Sequence, residues 1–178
     1  EEEKAFDWQS SLQNFPQQGG KKQVFEAVFL AVPDNAIGEV SQLLSQLIES
    51  NVPIVHTSGA TSTAKISNYF SIRAALWPIR SLRKGETVAA WQDLPLAYYC
   101  THADFETKLA NWANALSKLT YRLDDEQRAQ LHLAAVFSNN FTTWLCQIAW
   151  ELCQEQGIPF AALVPIIKNT FYPSAILS

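Results

Sequence analysis

Apolar runs that alternate with amphipathic helical patterns constrain the fold of this chain more than any other feature. Residues 23–34, "QVFEAVFLAVPD", form a continuous apolar and β-branched run, which predicts a strand buried on both faces. "VPIVHTSG" and "AALWPI" predict two more strands. Between them "NAIGEVSQLLSQLIES" has the spacing of an amphipathic helix, with apolar residues at Ile37, Val40, Leu44, Leu47 and Ile48. Strands that alternate with helices indicate βαβ units and therefore a parallel sheet with right-handed crossovers.

The pattern changes after Asp93 and becomes mainly helical after residue 123. "LPLAYYCT" and "TYRL" predict strands, and "DFETKLANWANALSKL" between them predicts a helix. A long helix is expected over residues 124–156, from the acidic "DDEQ" to a stop at Gly157. It is apolar nearly all round, which predicts burial by neighbours. One more helix follows, with Pro159 in its first turn. We expect an α/β domain over residues 1–123 and a helical domain over residues 124–178.

Composition narrows the possible functions of the 178-residue chain. Its net charge of −4 and pI near 5.3 argue against nucleic-acid binding. No apolar run approaches the roughly 20 residues that cross a bilayer, so no membrane association is expected. The three cysteines have no zinc-ligand spacing and an odd count, and the three histidines have no carboxylates at metal-binding spacing. These features predict a cytoplasmic protein without a metal site.

Four stretches, in the same order, carry a resemblance to a known family. "DDEQRAQLHLAAVFSNNFTTWL" resembles the opening of the helical domain in Rossmann-like proteins that join an NADP-binding α/β domain to a helical domain of unknown function (the 2520 type). "AVPDNAIGEV", "IVHTSGATS" and "LWPIRSL" are similar to strand ends of the same family. Its members are labelled deazaflavin-dependent NADP oxidoreductase-like and are distant relatives of pyrroline-carboxylate reductases and 6-phosphogluconate dehydrogenases. The resemblance covers residues 24 to 170.

The sequence also departs from that family. No G-x-G-x-x-G occurs in it, although a dinucleotide-binding fold holds the pyrophosphate at such a turn. The chain has no methionine and starts "EEEKAFDW", so we expect the first half of the Rossmann domain to lie outside these residues. NADP is then expected to bind the whole protein and not this chain alone. Arg80, Leu82 and Trp144 stand where members carry Gln, Phe and His.

The resemblance and the parallel sheet together indicate where ligands bind. Ligands of open α/β sheets lie at the carboxyl ends of the strands. The cofactor contacts expected there are Val32, Pro33, Asp34, His56, Ser58 and Gly59. Asp34 could also cap the following helix, which is compatible with a cofactor contact, and His56 could instead be a buried core histidine.

The long helix provides the expected catalytic residues, His132 and Asn140. The expected substrate contacts are Asn139 and Trp144 on the same helix and Arg80 after the third predicted strand. In an α-helix, His132 and Asn139 would lie about 20° apart around the axis and about 10 Å along it. If these amides are buried they need polar partners, which indicates a pocket or a ligand. Related hydroxyacid dehydrogenases carry a lysine four residues before the asparagine, where this chain has Val136. The lysine-based mechanism is therefore not expected.

Three hypotheses follow for function. The first is an NAD(P)-dependent oxidoreductase-like protein that transfers a hydride to a small carbonyl or imine substrate. The second is a non-catalytic nucleotide-binding or sensing module on the same fold, and Arg80, Trp144 and the missing lysine favour it. The third, compatible with either, is dimerisation, since Trp144 and Trp150 on an apolar helix suit the interface of a homodimer.

Overall fold

The computed structural model describes residues 25–81 and 90–171. Five strands form one sheet: β1 (Val28–Leu30), β2 (Ile54–His56), β3 (Arg73–Pro78), β4 (Leu96–Cys100) and β5 (Thr120–Arg122). The helices are α1 (Ile37–Leu44), α2 (Ala103–Leu116), α3 (Asp125–Ala135), α4 (Thr142–Glu155) and α5 (Val164–Phe171). Short 3-10 turns cover Asp34–Ala36, Thr63–Lys65, Trp91–Asp93 and Phe160–Leu163. The polar start of the sequence and Leu82 lie outside the described residues.

The sheet is mostly parallel, as the sequence predicts, with one exception. Its order is β1-β2-β3-β4-β5, and the β1–β2, β2–β3 and β4–β5 pairs are parallel. The β3–β4 pair is antiparallel, with Pro78 at the end of β3 opposite Leu96 at the start of β4. The chain therefore re-enters the sheet at the end where it left it and runs in the opposite direction. The prediction of a wholly parallel sheet is wrong at this one pair.

The first strand is shorter and more exposed than predicted. Leu30 is buried, but Phe29 is 47% exposed, so one face of β1 is only partly covered. Among the described strands β1 has a neighbour on one side only, namely β2. Phe29 packs against Trp112 of α2 with ring centroids 6.1 Å apart. The apolar run around β1 therefore belongs to an edge strand of the described sheet.

Two hydrophobic clusters hold the sheet between helices. Adjacent residues of β2 belong to different clusters, Ile54 to the one with α1 and Val55 to the one with α2, because neighbouring strand residues point to opposite faces. The α1 cluster includes Ile37, Val40, Leu44 and Ile48, which confirms the helical spacing read from the sequence. Burying one such side chain fully contributes about 1.5–3 kcal/mol. The carboxyl ends of β1 and β2 are thereby held in fixed positions.

The predicted long helix is continuous from residue 125 to residue 155 but changes type in the middle. Val136–Phe141 is a π-helix, which the sequence did not predict. The Thr143 hydroxyl donates to the carbonyl of Asn139 at 2.8 Å in this stretch. At its start, the amide of Gln127 donates to Oδ1 of Asp124 at 2.8 Å, and the Asp124 amide donates to Oε1 of Gln127 at 3.1 Å. This reciprocal cap confirms the acidic start, and Gly157, with φ of +66°, lies at the predicted stop.

Two compact units divide the described chain, one up to His132 and one from Leu133 onward. The domain boundary at residue 123 stays a prediction. Within the second unit the apolar stripe is not buried, since Phe137 is 59% and Trp144 is 61% exposed. The prediction of burial by neighbours is wrong for the described chain, because within the second unit only the Phe160–Leu163 turn and α5 follow this helix, and they supply too little surface to enclose it. Among the described helices, none has both the length and the apolar character needed to cross a bilayer.

Candidate functional site

Asp34 and Ser58 join the carboxyl ends of β1 and β2. The Ser58 hydroxyl donates to Oδ2 of Asp34 at 2.8 Å, and its oxygen accepts from the amides of Ala60 at 3.2 Å and Thr61 at 2.9 Å. Asp34 makes no side-chain cap at the turn that precedes α1, so the helix-cap interpretation of this residue is wrong. Its carboxylate instead helps to hold the turn that follows β2.

His56 is the last residue of β2 and is completely buried. Its Nδ1 accepts from the amide of Ser58 at 3.2 Å, so in the neutral ring the proton is on Nε2. Nε2 has no hydrogen-bond partner within the described residues. Burial lowers the pKa of His56 to about 4, the positive charge of Arg128 adds to this effect, and Asp125 and Asp34 oppose it. At neutral pH the ring is therefore an uncharged donor.

Arg128 of α3, which the sequence did not single out, lies at the centre of the site and is fully buried. Its Nε donates to the carbonyl of Ser58 at 3.2 Å, and its Nη2 donates to the carbonyl of Thr61. The same Nη2 donates to Oδ1 of Asp125 at 2.7 Å. Nη1 has no partner in the part of the chain that the structure describes. The Arg128 guanidinium thus binds two carbonyls of the turn that follows β2, and it also binds the carboxylate of Asp125, three residues earlier in α3.

Asp125 holds the other end of the same turn. Its Oδ2 accepts from the Ser62 hydroxyl at 2.6 Å, from the Thr63 amide at 2.9 Å and from the Thr63 hydroxyl at 2.9 Å. Burial raises the pKa of Asp125, but the hydrogen bonds from Ser62, Thr63 and Arg128 outweigh it and the net pKa is lowered. The group is a carboxylate at neutral pH. Together Arg128 and Asp125 fix both ends of the 58–63 turn, which we call the glycine turn.

Gly59 occupies a position in the glycine turn where any side chain would collide with its neighbours unless they moved. A Cβ on Gly59 would lie 2.4 Å from Cε2 of Trp77 and 2.9 Å from Nδ1 of His132. The rings of Trp77 and His132 pack against each other with centroids 5.6 Å apart. His132, an expected catalytic residue, therefore lies beside the expected cofactor residue Gly59 in the first unit.

A polar face of α3 carries the residues that meet the glycine turn. Asp125, Arg128 and His132 follow the i, i+3, i+7 spacing, which places them on one side of an α-helix. That spacing is visible in "DEQRAQLH" and is the signal that could have pointed to Arg128. An arginine near a helix start is usually read as solvent-exposed, and for this reason it was missed.

The remaining expected residues are placed as follows. Val32 is half-buried and Pro33 is exposed beside Asp34, and Arg80 is exposed just after β3. In the second unit, Asn139 and Asn140 are exposed, which corrects the expectation that they are buried. Nδ2 of Asn139 donates to Oδ1 of Asn140 at 3.3 Å.

Both asparagines and the phenylalanines beside them belong to the π-helix, so the α-helical spacing assumed between His132 and Asn139 does not hold. Trp144 is exposed on α4. The structure thus brings Asp34, His56, Ser58, Gly59 and His132 together at the glycine turn. In residues 25–81 and 90–171 no group of three or more histidine, cysteine or acidic side chains is arranged to hold a metal ion.

A mostly parallel sheet between helices, with polar side chains at the carboxyl ends of its first two strands, defines a Rossmann-like α/β protein. Residues 100–174 match the family model described as a domain of unknown function, DUF2520. No curated protein matches this sequence.

Several solved structures share the fold. A protein from Bacteroides fragilis that is provisionally named an NADP oxidoreductase is 26% identical, with a TM-score of 0.73 over 86% of this chain and 59% of its own. Protein TM1727 from Thermotoga maritima is 21% identical, with a TM-score of 0.67 over 87% of this chain and 60% of its own. A semialdehyde dehydrogenase NAD-binding protein from Cupriavidus necator, solved with calcium and NAD, is 14% identical, with a TM-score of 0.59 over 85% of this chain and 62% of its own.

These matches confirm the resemblance read from the sequence. The chain is similar to Rossmann-like proteins that include one provisionally named an NADP oxidoreductase, its residues 100–174 match the DUF2520 model, and it has an oxidoreductase-like fold. The chain spans 59% of the length of the Bacteroides protein and 60% of the Thermotoga protein.

Proposed function

We propose that this chain is part of an NAD(P)-dependent oxidoreductase that transfers a hydride between the nicotinamide and a small carbonyl or imine substrate. The observation that carries the proposal is the cluster of Asp34, His56, Ser58 and Gly59 at the carboxyl ends of β1 and β2. In open α/β sheets this edge is where nucleotides bind. The likeness to the provisionally named NADP oxidoreductase of Bacteroides fragilis supports the same assignment.

The residues present fit one part of such a nucleotide. Asp34 offers a carboxylate, the glycine turn brings backbone close to the edge of the sheet, and His56 has a buried donor, Nε2, with no partner among the described residues. They do not supply the glycine-rich turn that holds a pyrophosphate, because no G-x-G-x-x-G occurs in the sequence. We therefore propose that NADP binds the whole protein, with Asp34, Ser58 and Gly59 as contacts from this chain.

The nicotinamide supplies the hydride when the cofactor is bound, and the chain's own residues position the reactants. His56, neutral and fixed as the Nε2–H tautomer, can donate a hydrogen bond but holds no second proton to release at neutral pH. His132, beside Gly59, is our candidate for the proton donor to the substrate. Asn140 as a catalytic amide, and Arg80, Asn139 and Trp144 as substrate contacts, stay predictions.

A second candidate is a nucleotide-binding protein without turnover. The specific observation in its favour is that His56 is uncharged and Arg128 is held in contacts with the glycine turn and Asp125, so neither is an evident acid. Binding with no turnover of carbonyl or imine substrates would select this candidate.

We also propose that the second unit forms a homodimer. Phe137, Phe141 and Trp144 are among the large apolar side chains exposed there. Apolar faces of this kind on helices commonly become obligate interfaces.

Titration with NADPH, read by tryptophan quenching, tests the proposed function. Trp77 packs beside Gly59 and His132 and serves as a reporter of the site. We expect the whole protein to bind with a micromolar or lower Kd and this chain alone to bind far more weakly. If the whole protein gives no saturable quenching with either NADPH or NADH, the proposal is wrong.

A further inference from the structure

The fully buried Arg128 calls for an explanation beyond stability. A buried ion pair is weak evidence for stability, because replacing it with well-packed apolar residues is often neutral or favourable. Arg128 also leaves Nη1 without a partner within the described residues, although buried polar groups are normally satisfied. What its contacts do achieve is geometric, since they all converge on one turn and on Asp125.

We propose that Arg128 is a positioning residue which, together with Asp125, fixes the glycine turn so that Ser58 and Gly59 face the ligand in one conformation. This inference rests on the proposed function, because the turn is the part of the chain assigned to cofactor contact. Neither residue touches the ligand in this proposal. Both act through the backbone of residues 58–63.

The contacts along the turn show how two side chains can determine its shape. Arg128 binds the carbonyls of Ser58 and Thr61, and the Ser58 hydroxyl accepts from the amide of Thr61. Asp125 accepts from Ser62 and Thr63 at the far end. A planar guanidinium holds two acceptors at a fixed separation, which a lysine ammonium cannot do. The turn is thereby tied to α3 at both ends.

The first tied carbonyl belongs to the residue whose amide binds His56. Because Ser58 donates to Nδ1 of His56, any movement of the turn changes the hydrogen bond that sets the tautomer of this histidine. The charged groups that act on the ring are Arg128 and Asp125 of α3 and Asp34 beside β1. Loss of Arg128 removes the positive charge and leaves the two carboxylates, so the pKa of His56 should rise. A merely structural arginine far from the ring would not change it.

The test compares Arg128→Met with Arg122→Met in the full chain. Arg122 is a matched control, because it pairs with Glu106 through its Nε at 2.9 Å but lies exposed on β5. Nuclear magnetic resonance would measure the pKa of His56 and the amide exchange rates of Thr61 and Thr63. We expect Arg128→Met to raise exchange at both amides at least tenfold and to raise the His56 pKa, while exchange in β3 stays unchanged. Arg122→Met should change none of these.

Two further variants keep the test decisive. If Arg128→Met does not fold, Asp125→Asn combined with Arg128→Met removes both charges and should fold with the same fast exchange in the turn. Arg128→Lys keeps the positive charge, so it should bring the His56 pKa close to the wild-type value. It should bring the exchange rates of the Thr61 and Thr63 amides back toward wild type to a smaller extent. If a folded variant without Arg128 exchanges Thr61 and Thr63 as slowly as the wild type, the proposal is overturned.

NADPH titration of the whole protein separates this inference from the proposed function. If the wild type does not bind, the proposed function fails, and the exchange rates still decide whether Arg128 fixes the turn. If the wild type binds and Arg128→Met binds at least tenfold more weakly, with Arg122→Met unchanged, the positioning role is supported. If Arg128→Met loosens the turn and still binds as tightly as the wild type, positioning for the ligand is overturned.

Discussion

Gly59 and Trp77 are in such close contact that a Cβ on Gly59 would lie 2.4 Å from Cε2 and 2.7 Å from Cζ2 of the indole. Real Cβ atoms do not approach this closely, so Gly59→Ala must displace the indole or the turn. We expect a loss of about 1–3 kcal/mol in the free energy of unfolding, as for other overpacked sites. Chemical denaturation measures it.

Gly38→Ala is the matched control for that substitution. Its Cβ would meet only the carbonyl of Lys65, at 3.4 Å, and Gly38 lies in α1. An alanine at a helical position should raise stability by about 0.5 kcal/mol. If both alanine variants had equal stability, the close contact at Gly59 would be refuted.

The buried His56 makes stability depend on pH in a defined window. Burial lowers its pKa from 6.5 to about 4, so between these values the unfolded chain binds the proton more tightly than the folded chain. His56 therefore leaves the stability of the folded chain undiminished above pH 6.5 and lowers it as the pH falls toward 4, because the unfolded chain takes up the proton first. The loss in the free energy of unfolding amounts to about 3 kcal/mol at most.

His56→Gln should abolish that part of the pH dependence, because glutamine does not titrate. His102→Gln is the control, since His102 is exposed at the start of α2. Denaturation midpoints between pH 4 and 7.5 would test this. A wild type as stable at pH 4.5 as at pH 7 would refute the neutral, buried state of His56.

The Asp34–Ser58 hydrogen bond should appear as a coupling energy between the two side chains. Asp34→Ala, Ser58→Ala and the double variant form a double-mutant cycle, for which we expect about 0.5–1.5 kcal/mol. Asn35→Ala, at the neighbouring exposed position, should not couple to Ser58→Ala. If Asp34 acted as a helix cap, its loss would lower stability by the same amount with or without Ser58, and the coupling energy would be zero.

The exposed apolar face of the second unit should control self-association. Trp144→Glu puts a charge where Trp144 is 61% exposed in the single chain. In the proposed homodimer that charge would be desolvated, so we expect association to weaken at least tenfold, or about 1.4 kcal/mol. Sedimentation velocity over a range of concentrations measures this, with Gln147→Glu as the control on the same helix. A wild type that remains monomeric at high concentration would contradict the dimer.

The periodicity of apolar residues predicted the helices and strands of the fold, but it did not predict the direction of every strand. The spacing of Ile37, Val40 and Leu44 predicted α1 because the side chains that face a core repeat with the period of the helix. The antiparallel β4 could not be predicted in this way, since its residues are apolar whichever direction the strand runs. The π-helix at Val136–Phe141 was missed because apolar residues at spacings of three and four indicate a helix without distinguishing the π type from the α type.

Only the part of the candidate site at the carboxyl ends of strands could be predicted from the sequence. Asp34, His56 and Ser58 follow apolar runs, so the rule for ligands in parallel sheets located them without a structure. Arg128 was missed because its burial depends on the carbonyl of Ser58, 70 residues away in the sequence. The cap assigned to Asp34 was wrong for a related reason, since the competing Ser58 hydroxyl comes from another strand end.

Nucleotide binding at the glycine turn is tested most directly by amide spectra of the labelled whole protein. NADPH would be added to saturation and the shift of each amide resonance recorded. We predict that the largest shifts contributed by this chain are those of Ser58, Gly59 and Ala60, at the carboxyl end of β2. Saturable shifts elsewhere with these three amides unchanged, or no shifts at all, would contradict the assignment.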